Sequence, residues 1–329
     1  MYSLSKTPIT IETAQTIVRH HLGSERAIRT FEELKDGFFN AAYQIVLEDG
    51  LACILKVAPP DRVRVMRYEK NIMQAEVKVM RLVRARTDVP VPEVYNYDPS
   101  RQIIDNDFYL MACISGVPLN KLRKDLSEAE QVVIDREAGR LTQQINAIEG
   151  TAFGYYAQSE SRFSSWRESF AAMLCGVLDD GLDMNVALPL AYDELETRLS
   201  PFYGTLEEIT VPRLVHWDLW DGNIFIDPES RCINGIIDFE RALWGDPLME
   251  CLFGFQGPQS TYAKGYGRPM MDTEARVIRR TLYNIYLYLI MIIECAYRQY
   301  ETQDQERWAR GQLVKELLKL GIQCENQVA

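Results

Sequence analysis

The residues of this 329-residue sequence with the clearest chemical use lie in one short segment. His216 and Asp218 follow an apolar run, Asn223 comes five positions after Asp218, and a second apolar run ends in Asp238. A carboxylate on a loop can orient a hydroxyl group and accept its proton. Carboxylate and amide oxygens are the ligands that Mg²⁺ prefers. The order and spacing predict phosphoryl transfer, with Asp218 as the base and with Asn223 and Asp238 at the metal.

Two other interpretations of the same segment are weaker. It could be an ordinary β-hairpin in which Asp and Asn are turn residues, but the full set of polar residues between apolar runs favours a functional site. A Ser-His-Asp hydrolase would need His216 as its base, since His20 and His21 lie in a predicted N-terminal helix. We expect His216 to brace the loop rather than to transfer a proton.

The elements that precede this segment are rich in β-structure. Two apolar runs, 42–47 and 51–57, flank Glu48-Asp49-Gly50, which is a strong hairpin signal. Residues 64–86 have the apolar periodicity of a long helix, and a further strand ends at Ile114. These patterns predict a small β-rich lobe that contains one long helix.

The chain changes character at residues 115–118, where Ser-Gly-Val-Pro follows a strand. Helical periodicity dominates afterwards and is interrupted by a β-rich segment at 213–238. We therefore expect an α+β fold of two lobes. Residues 1–113 would form the smaller lobe, 114–118 a hinge, and 119–329 a larger, mainly helical lobe that carries a short catalytic β-hairpin.

Charge and cysteine content narrow the classes of function. The net charge of −11 lies entirely in residues 116–329, because the first 115 residues have equal numbers of acidic and basic side chains. Nucleic acid is a poor partner for such a surface. A cationic small molecule is a plausible one, although the acids could simply keep the lobe soluble. Seven scattered cysteines without a C-x-x-C pair argue against a zinc site and a disulfide framework.

The most apolar window, residues 282–293, contains Asn284 and ends at Glu294. It is shorter than the roughly 20 apolar residues of a membrane span, so we expect a helix buried inside a lobe and no membrane partner. The N-terminal residues lack the apolar core of a signal peptide. Together with the unpaired cysteines, this favours a protein of the reducing cytoplasm.

The segment Val215–Asp238, with the trailing Gly245-Asp246-Pro247, resembles the signature of the aminoglycoside-phosphotransferase and choline-kinase-like group. The resemblance implies a protein-kinase-like bilobal fold and transfer of the γ-phosphoryl group of ATP or GTP, with Mg²⁺, to a hydroxyl group. The short distance from Asp238 to Gly245 leaves little room for the activation loop of a protein kinase. A small acceptor is therefore expected rather than a peptide.

The resemblance also implies nucleotide-binding residues in the N-terminal lobe. Lys56 matches the lysine on the α- and β-phosphates, and a lysine inside an apolar strand needs an anionic partner. Glu76 matches the glutamate that pairs with this lysine, and Glu69 is the alternative. Residues 34–43 resemble the hairpin that covers the phosphates, and the base would bind backbone groups at the hinge. The positions implied in these two segments are Gly37, Asn40, Ala112, Cys113 and Ile114.

Four positions depart from the patterns of related enzymes or add bulk near the site. Trp217 stands where the family often has glycine, and Glu240 stands where protein kinases have glycine. Trp220 and Trp244 add aromatic surface near the site, unless they pack in the core.

The nature of the acceptor follows least directly from the sequence. Residues 161–200 contain seven acidic side chains and should carry the selectivity for the acceptor. These acids suit an aminoglycoside or another amine. An aminoglycoside acceptor would imply antibiotic resistance. A macrolide or small-metabolite kinase of the same fold is an alternative, since these acids could be a solvated helix face. A non-catalytic nucleotide-binding scaffold is disfavoured because Lys56, Asp218, Asn223 and Asp238 are all present.

Overall fold

Two helices and a five-stranded antiparallel sheet form the N-terminal lobe in the computed structural model, which describes residues 6–35, 37, 39–300 and 302–324. Helix α1 (Ile11–His21) begins after Thr10, whose side chain accepts a hydrogen bond from the Thr13 amide. The strands follow as β1 (Ile28–Leu34), β2 (Ala41–Leu47), β3 (Ala52–Val57), β4 (Val94–Asp98) and β5 (Phe108–Ala112). Their spatial order is β1-β2-β3-β5-β4.

The predicted hairpin is confirmed as the pair β2 and β3. Gly50 closes it with a φ of 88°, a conformation that glycine adopts without strain. Burial alternates along β2, and its buried residues Tyr43 and Ile45 belong to the same hydrophobic cluster as Ile17 of α1. Lys56 lies near the end of β3, opposite Tyr109 of β5, and is one of the partly exposed residues of that strand.

The long helix of the N-terminal lobe is shorter than the sequence pattern predicts. Helix α2 covers Ile72–Arg86, and residues 67–69 form a separate 3₁₀ turn. Asn71 has a left-handed backbone (φ 60°), which prevents the helix from extending towards residue 64. Tyr68 is buried in the main core of the protein, so tertiary packing overrides the helical periodicity here.

The C-terminal lobe is mainly helical, as predicted. Its helices are α3 (Leu119–Leu122), α4 (Glu128–Asn146), α5 (Trp166–Asp183), α6 (Tyr192–Leu199), α7 (Cys251–Gln256), α8 (Thr261–Tyr266), α9 (Glu274–Arg298) and α10 (Asp304–Lys319). Its strands are β6 (Val117–Pro118), β7 (Gly154–Tyr155), β8 (Arg213–Val215), β9 (Ile224–Ile226), β10 (Ile233–Ile236) and β11 (Leu243–Gly245). They form two small sheets, ordered β10-β9-β6 and β7-β11-β8.

Two features of this lobe position the predicted active segment. Strands β9 and β10 form an antiparallel hairpin, and β6, at the end of the predicted hinge, pairs with β9 on its other side. Helix α9 contains the most apolar window of the sequence, and its residues Leu282, Ile285 and Leu289 are buried in the core.

Within the described ranges, no helix has the length and apolar character needed to cross a membrane.

Candidate active site

The predicted catalytic segment leaves the end of β8 through a strained turn. Trp217 has a φ of 65°, a conformation that side chains other than glycine rarely adopt. Glycine, which the resemblance implies is frequent at this position, adopts this conformation without strain. The Trp217 side chain is buried and stacks on Tyr286, with ring centroids 5.4 Å apart. Its bulk therefore packs in the lobe core and leaves the loop surface free.

Buried hydrogen bonds hold this turn in place. Glu250 accepts from the amides of His216 (2.9 Å) and Trp217 (3.0 Å), and from Asn146 Nδ2 (2.9 Å). His216 Nε2 lies 2.9 Å from the carbonyl oxygen of Ile237, and its Nδ1 accepts from the Asp218 amide at 3.3 Å. Burial lowers the pKa of His216, so the imidazole is neutral. This geometry fits a bracing role for His216.

The sequence motif gives no sign of Glu250, because this residue lies 32 positions after Asp218 and outside the motif. Replacing Glu250 with Gln should lower the free energy of unfolding by about 1–3 kcal/mol, because an amide NH₂ cannot accept from the backbone donors that the carboxylate satisfies. Urea unfolding at neutral pH measures the difference. Glu207→Gln, at an exposed ion pair with Arg167, is the control and should change stability little. Equal stability of the Glu250 variant and wild type would contradict the bracing role.

Asp218 and Asn223 lie side by side at the end of this loop. Asn223 Nδ2 donates to the backbone oxygen of Asp218 at 2.8 Å and lies 3.4 Å from its Oδ2. These contacts leave Asn223 Oδ1 as the atom that can bind a cation. Burial raises the pKa of Asp218 to about 6, although the Arg241 guanidinium opposes the shift. A carboxylate with this pKa can accept a proton near neutral pH.

Lys56 joins the N-terminal lobe to the catalytic hairpin. Its Nζ lies 2.9 Å from both carboxylate oxygens of Glu76 and 2.7 Å from Asp238 Oδ1. Glu69, the alternative partner, instead forms a buried ion pair with Arg298. Burial disfavours the charged lysine, but Asp238 and Glu76 more than offset this and hold the pKa of Lys56 above its ordinary value.

Glu240 belongs to the same cluster, and the sequence pattern marked it only as a departure from the kinase glycine. Carboxylate oxygens of Glu76, Asp238 and Glu240 lie within 4.8 Å of one another. Asn40 Nδ2 donates to Glu240 Oε2 at 2.7 Å, across the two lobes. Burial and the charge of Asp238 raise the pKa of Glu240 to about 8. Oxygen donors gathered in this way, with Asn223 Oδ1 on the same hairpin, fit the ligand preference of Mg²⁺.

The structure describes the predicted phosphate-covering segment in part and the predicted hinge in full. Asp36 and Phe38 lie outside the described residues, and Gly37 lies in the loop between β1 and β2. At the hinge, the Ala112 amide donates to Glu93 (2.8 Å) and the Cys113 amide to Ala52 (3.3 Å). Among the three amides implied to bind the nucleotide base, that of Ile114 has no acceptor within the described ranges and can donate to a ligand.

The acidic residues expected to select the acceptor are partly neutralised. Asp180 of α5 is buried and paired with Arg67, and Asp183 lies 3.2 Å from Arg64. Both arginines come from the segment between β3 and α2. This segment and α5 border a cavity of about 240 Å³, which is lined in part by Tyr68, Tyr155 and Met173.

The remaining tryptophans differ in exposure. Trp220 is 40% exposed and offers aromatic surface, as expected. Trp244 is half-buried against Tyr156, with ring centroids 5.8 Å apart.

Known structures share this architecture at low sequence identity. A protein from Ralstonia eutropha JMP134, assigned as an aminoglycoside phosphotransferase, is 17% identical, with a TM-score of 0.68 over 95% of this chain and 99% of that one. A thermostable mutant of aminoglycoside phosphotransferase APH(4)-Ia, in complex with AMP-PNP and hygromycin B, is 17% identical, with a TM-score of 0.62 over 94% and 99%. The ternary complex of APH(2")-IIa with streptomycin and ATP is 19% identical, with a TM-score of 0.59 over 97% and 98%.

These identities show a shared fold, and no curated protein matches the chain. A family model does match: that of the phosphotransferase enzyme family (APH) aligns with residues 30–266, from the first strand to α8. The aligned part contains Lys56, Asp218, Asn223 and Asp238. A match over most of the chain, on a protein-kinase-like fold, means that this chain belongs to the phosphotransferase enzyme family and is a small-molecule kinase.

Proposed function

We propose that the protein transfers the γ-phosphoryl group of ATP to a hydroxyl group of a small molecule, with Asp218 as the base. The observation that carries the proposal is the ion-pair cluster at Lys56, whose Nζ lies 2.9 Å from Glu76 Oε1 and 2.7 Å from Asp238 Oδ1. This cation and these carboxylates come from both lobes and from positions 182 residues apart in sequence. A purely structural ion pair would not need Asp218 and Asn223 beside it.

Each residue has a defined part in the proposed nucleotide complex. Lys56 would exchange Asp238 for the α- and β-phosphates and keep Glu76, which holds it in position. Asn223 Oδ1 and Asp238, with Glu240 next to them, would hold Mg²⁺, whose charge offsets that of the β- and γ-phosphates. The backbone amide of Ile114 would donate a hydrogen bond to the nucleotide base.

The transfer step then needs little covalent work from the protein. The acceptor oxygen forms a bond to the γ-phosphorus while the bond from that phosphorus to the bridging oxygen breaks, and ADP leaves with the electron pair. The Asp218 carboxylate takes the hydroxyl proton. Catalysis by this site is mainly positioning and charge neutralisation.

The acceptor is proposed at the level of class. Hygromycin B and streptomycin in the related structures make aminoglycosides the first compounds to test. However, Arg67 and Arg64 already neutralise Asp180 and Asp183, so the insert offers a cation less free charge than its composition suggests. Neutral hydroxylated metabolites and macrolides therefore belong in the same test.

Phosphoryl transfer from γ-labelled ATP or GTP across such an acceptor panel tests the function. We expect one acceptor class to be phosphorylated by wild type and not by Asp218→Asn. Nucleotide binding without transfer to any acceptor would favour a scaffold. Labelling of peptides or of the chain itself would favour a protein kinase.

The pKa of Asp218 also predicts a pH dependence. At saturating ATP, kcat/KM for the acceptor should fall about tenfold per pH unit below about pH 6, because protonated Asp218 cannot accept the hydroxyl proton. Initial rates between pH 5 and pH 8 measure the profile. The residual activity of Asp218→Asn should lack this acid limb. The same limb in wild type and variant would assign it to another group.

A further inference from the structure

A cavity of about 460 Å³ lies at the end of β8 opposite to the catalytic loop. Arg213 opens this strand and lines the cavity, while Asp218 follows the far end of the strand, at most about 17 Å away along the extended chain. The volume lies in the range of small-molecule sites. Neither the nucleotide-binding residues nor the catalytic residues proposed above line it.

The cavity concentrates positive charge in a chain whose net charge is −11. Two carboxylates, Glu208 and Asp246, line it together with four arginines, which are Arg213, Arg268, Arg276 and Arg279. Guanidinium groups bind phosphate and carboxylate oxygens in a bidentate way, so several of them around one cavity favour an anionic ligand.

Three of the four arginines can turn to a ligand. Arg268 is exposed, and no side chain or backbone acceptor bonds its guanidinium in the part of the chain that the structure describes. Arg213 pairs with Glu149 and Arg276 with Asp272, carboxylates that are 58% and 47% exposed. Each of the two guanidinium groups also donates to one backbone carbonyl, at 3.3 Å and 2.9 Å. Exposed ion pairs of this kind contribute little and are readily exchanged.

The fourth arginine is fixed and gives the cavity a rigid wall. Arg279 is 4% exposed and donates to Asp246 at 3.0 Å. Asp246 also accepts from Tyr283 at 2.9 Å, so this part of the wall is held from inside the lobe. Apolar surface completes the lining, from Ile209, Val211 and Met270.

An independent observation points to a ligand with a hydrogen-bond donor. Asn146 lines the cavity and is 1% exposed, and its Oδ1 has no hydrogen-bond partner. Its Nδ2 donates to the Leu214 carbonyl (2.8 Å) and to Glu250 (2.9 Å), which fixes the orientation of the amide. A buried acceptor without a partner is costly, unless a ligand or water donates to it.

We infer that this cavity binds a small phosphate monoester that carries hydroxyl groups, with its phosphate at Arg268, Arg276 and Arg213. A ligand hydroxyl would donate to Asn146 Oδ1. The site is separate from the proposed active site, so the inference does not depend on the identity of the acceptor.

Calorimetric titration with glucose 6-phosphate tests the inference. Saturating AMP-PNP and Mg²⁺ are present, so that the phosphate-binding part of the active site is filled. Wild type should bind the probe, and uncharged glucose should not bind. The double variant Arg268→Ala/Arg276→Ala should bind at least tenfold more weakly, and Arg268→Ala alone should show an intermediate loss. Both arginines are partly or fully exposed, so thermal melting should show that the fold is unchanged.

The matched control is Arg307→Ala, which removes an equally charged side chain, 75% exposed, from α10. It should bind like wild type. Equal affinities for wild type and the double variant would overturn the inference. So would the absence of measurable binding to wild type, binding of glucose as strong as that of the phosphate, or an equal loss in the control.

Discussion

Replacing Asp218 with Asn should lower the turnover number by about 10²–10⁴-fold, the usual effect of losing a general base. The amide has nearly the same shape but cannot accept the proton of the acceptor hydroxyl. Nucleotide affinity should change little, because Asp218 makes no contact with Lys56 or Glu76. Single-turnover measurements at saturating nucleotide and acceptor separate the chemical step from binding, and Asp218→Ala should show a loss of the same order.

The control for this experiment is Asp227→Asn, in the turn that joins β9 and β10. Asp227 accepts hydrogen bonds from residues of its own turn, among them Ser230 at 2.7 Å, and lies on the same hairpin as Asn223. This variant should keep the wild-type turnover. Wild-type turnover in Asp218→Asn would contradict the assignment of the base, whichever acceptor is used.

The second large effect is expected at Asp238. Asp238→Ala should remove the part of nucleotide binding that depends on Mg²⁺, a loss of more than about 100-fold, since even residues that only support metal ligands contribute about 10–100-fold in metal affinity. Asp238 Oδ1 also lies 2.7 Å from Lys56 Nζ and would compete with the phosphates for it. Without that competitor, binding in the absence of Mg²⁺ should be unchanged or stronger.

Calorimetry with a non-hydrolysable ATP analogue, with and without Mg²⁺, measures both quantities. Lys56→Met is the matched comparison at the other end of the same ion pair. This variant should bind the nucleotide more weakly both with and without Mg²⁺. The difference in affinity between the two conditions should stay as in wild type. The proposed metal role would be contradicted if Asp238→Ala retained the wild-type difference between the two conditions.

Long-range packing decides which carboxylate meets Lys56. The periodicity of residues 64–86 predicts one long amphipathic helix that contains both Glu69 and Glu76. In the structure, the buried Tyr68 draws residues 67–69 into the main core, and Asn71 separates them from α2. Glu69 thereby reaches Arg298, which is 229 positions away, and Glu76 keeps Lys56. Single-sequence periodicity contains no information on such a distant partner.

The class of the fold follows from local patterns of the sequence, and the same patterns predict which segment carries the chemistry. Asp218 and Asn223 come shortly before the hairpin of β9 and β10, and Asp238 comes shortly after it. The turn at Asp49-Gly50 likewise depends on local backbone preferences, so spacing along the chain predicts this part of the geometry. The tertiary structure alone decided what surrounds these residues. Arginines from the segment between β3 and α2 neutralise two carboxylates of the acidic insert, and Asn40 meets Glu240 across 200 positions. The physical reason is that burial and ion pairing depend on which faces of distant elements pack together, whereas turns and short motifs depend on neighbouring residues.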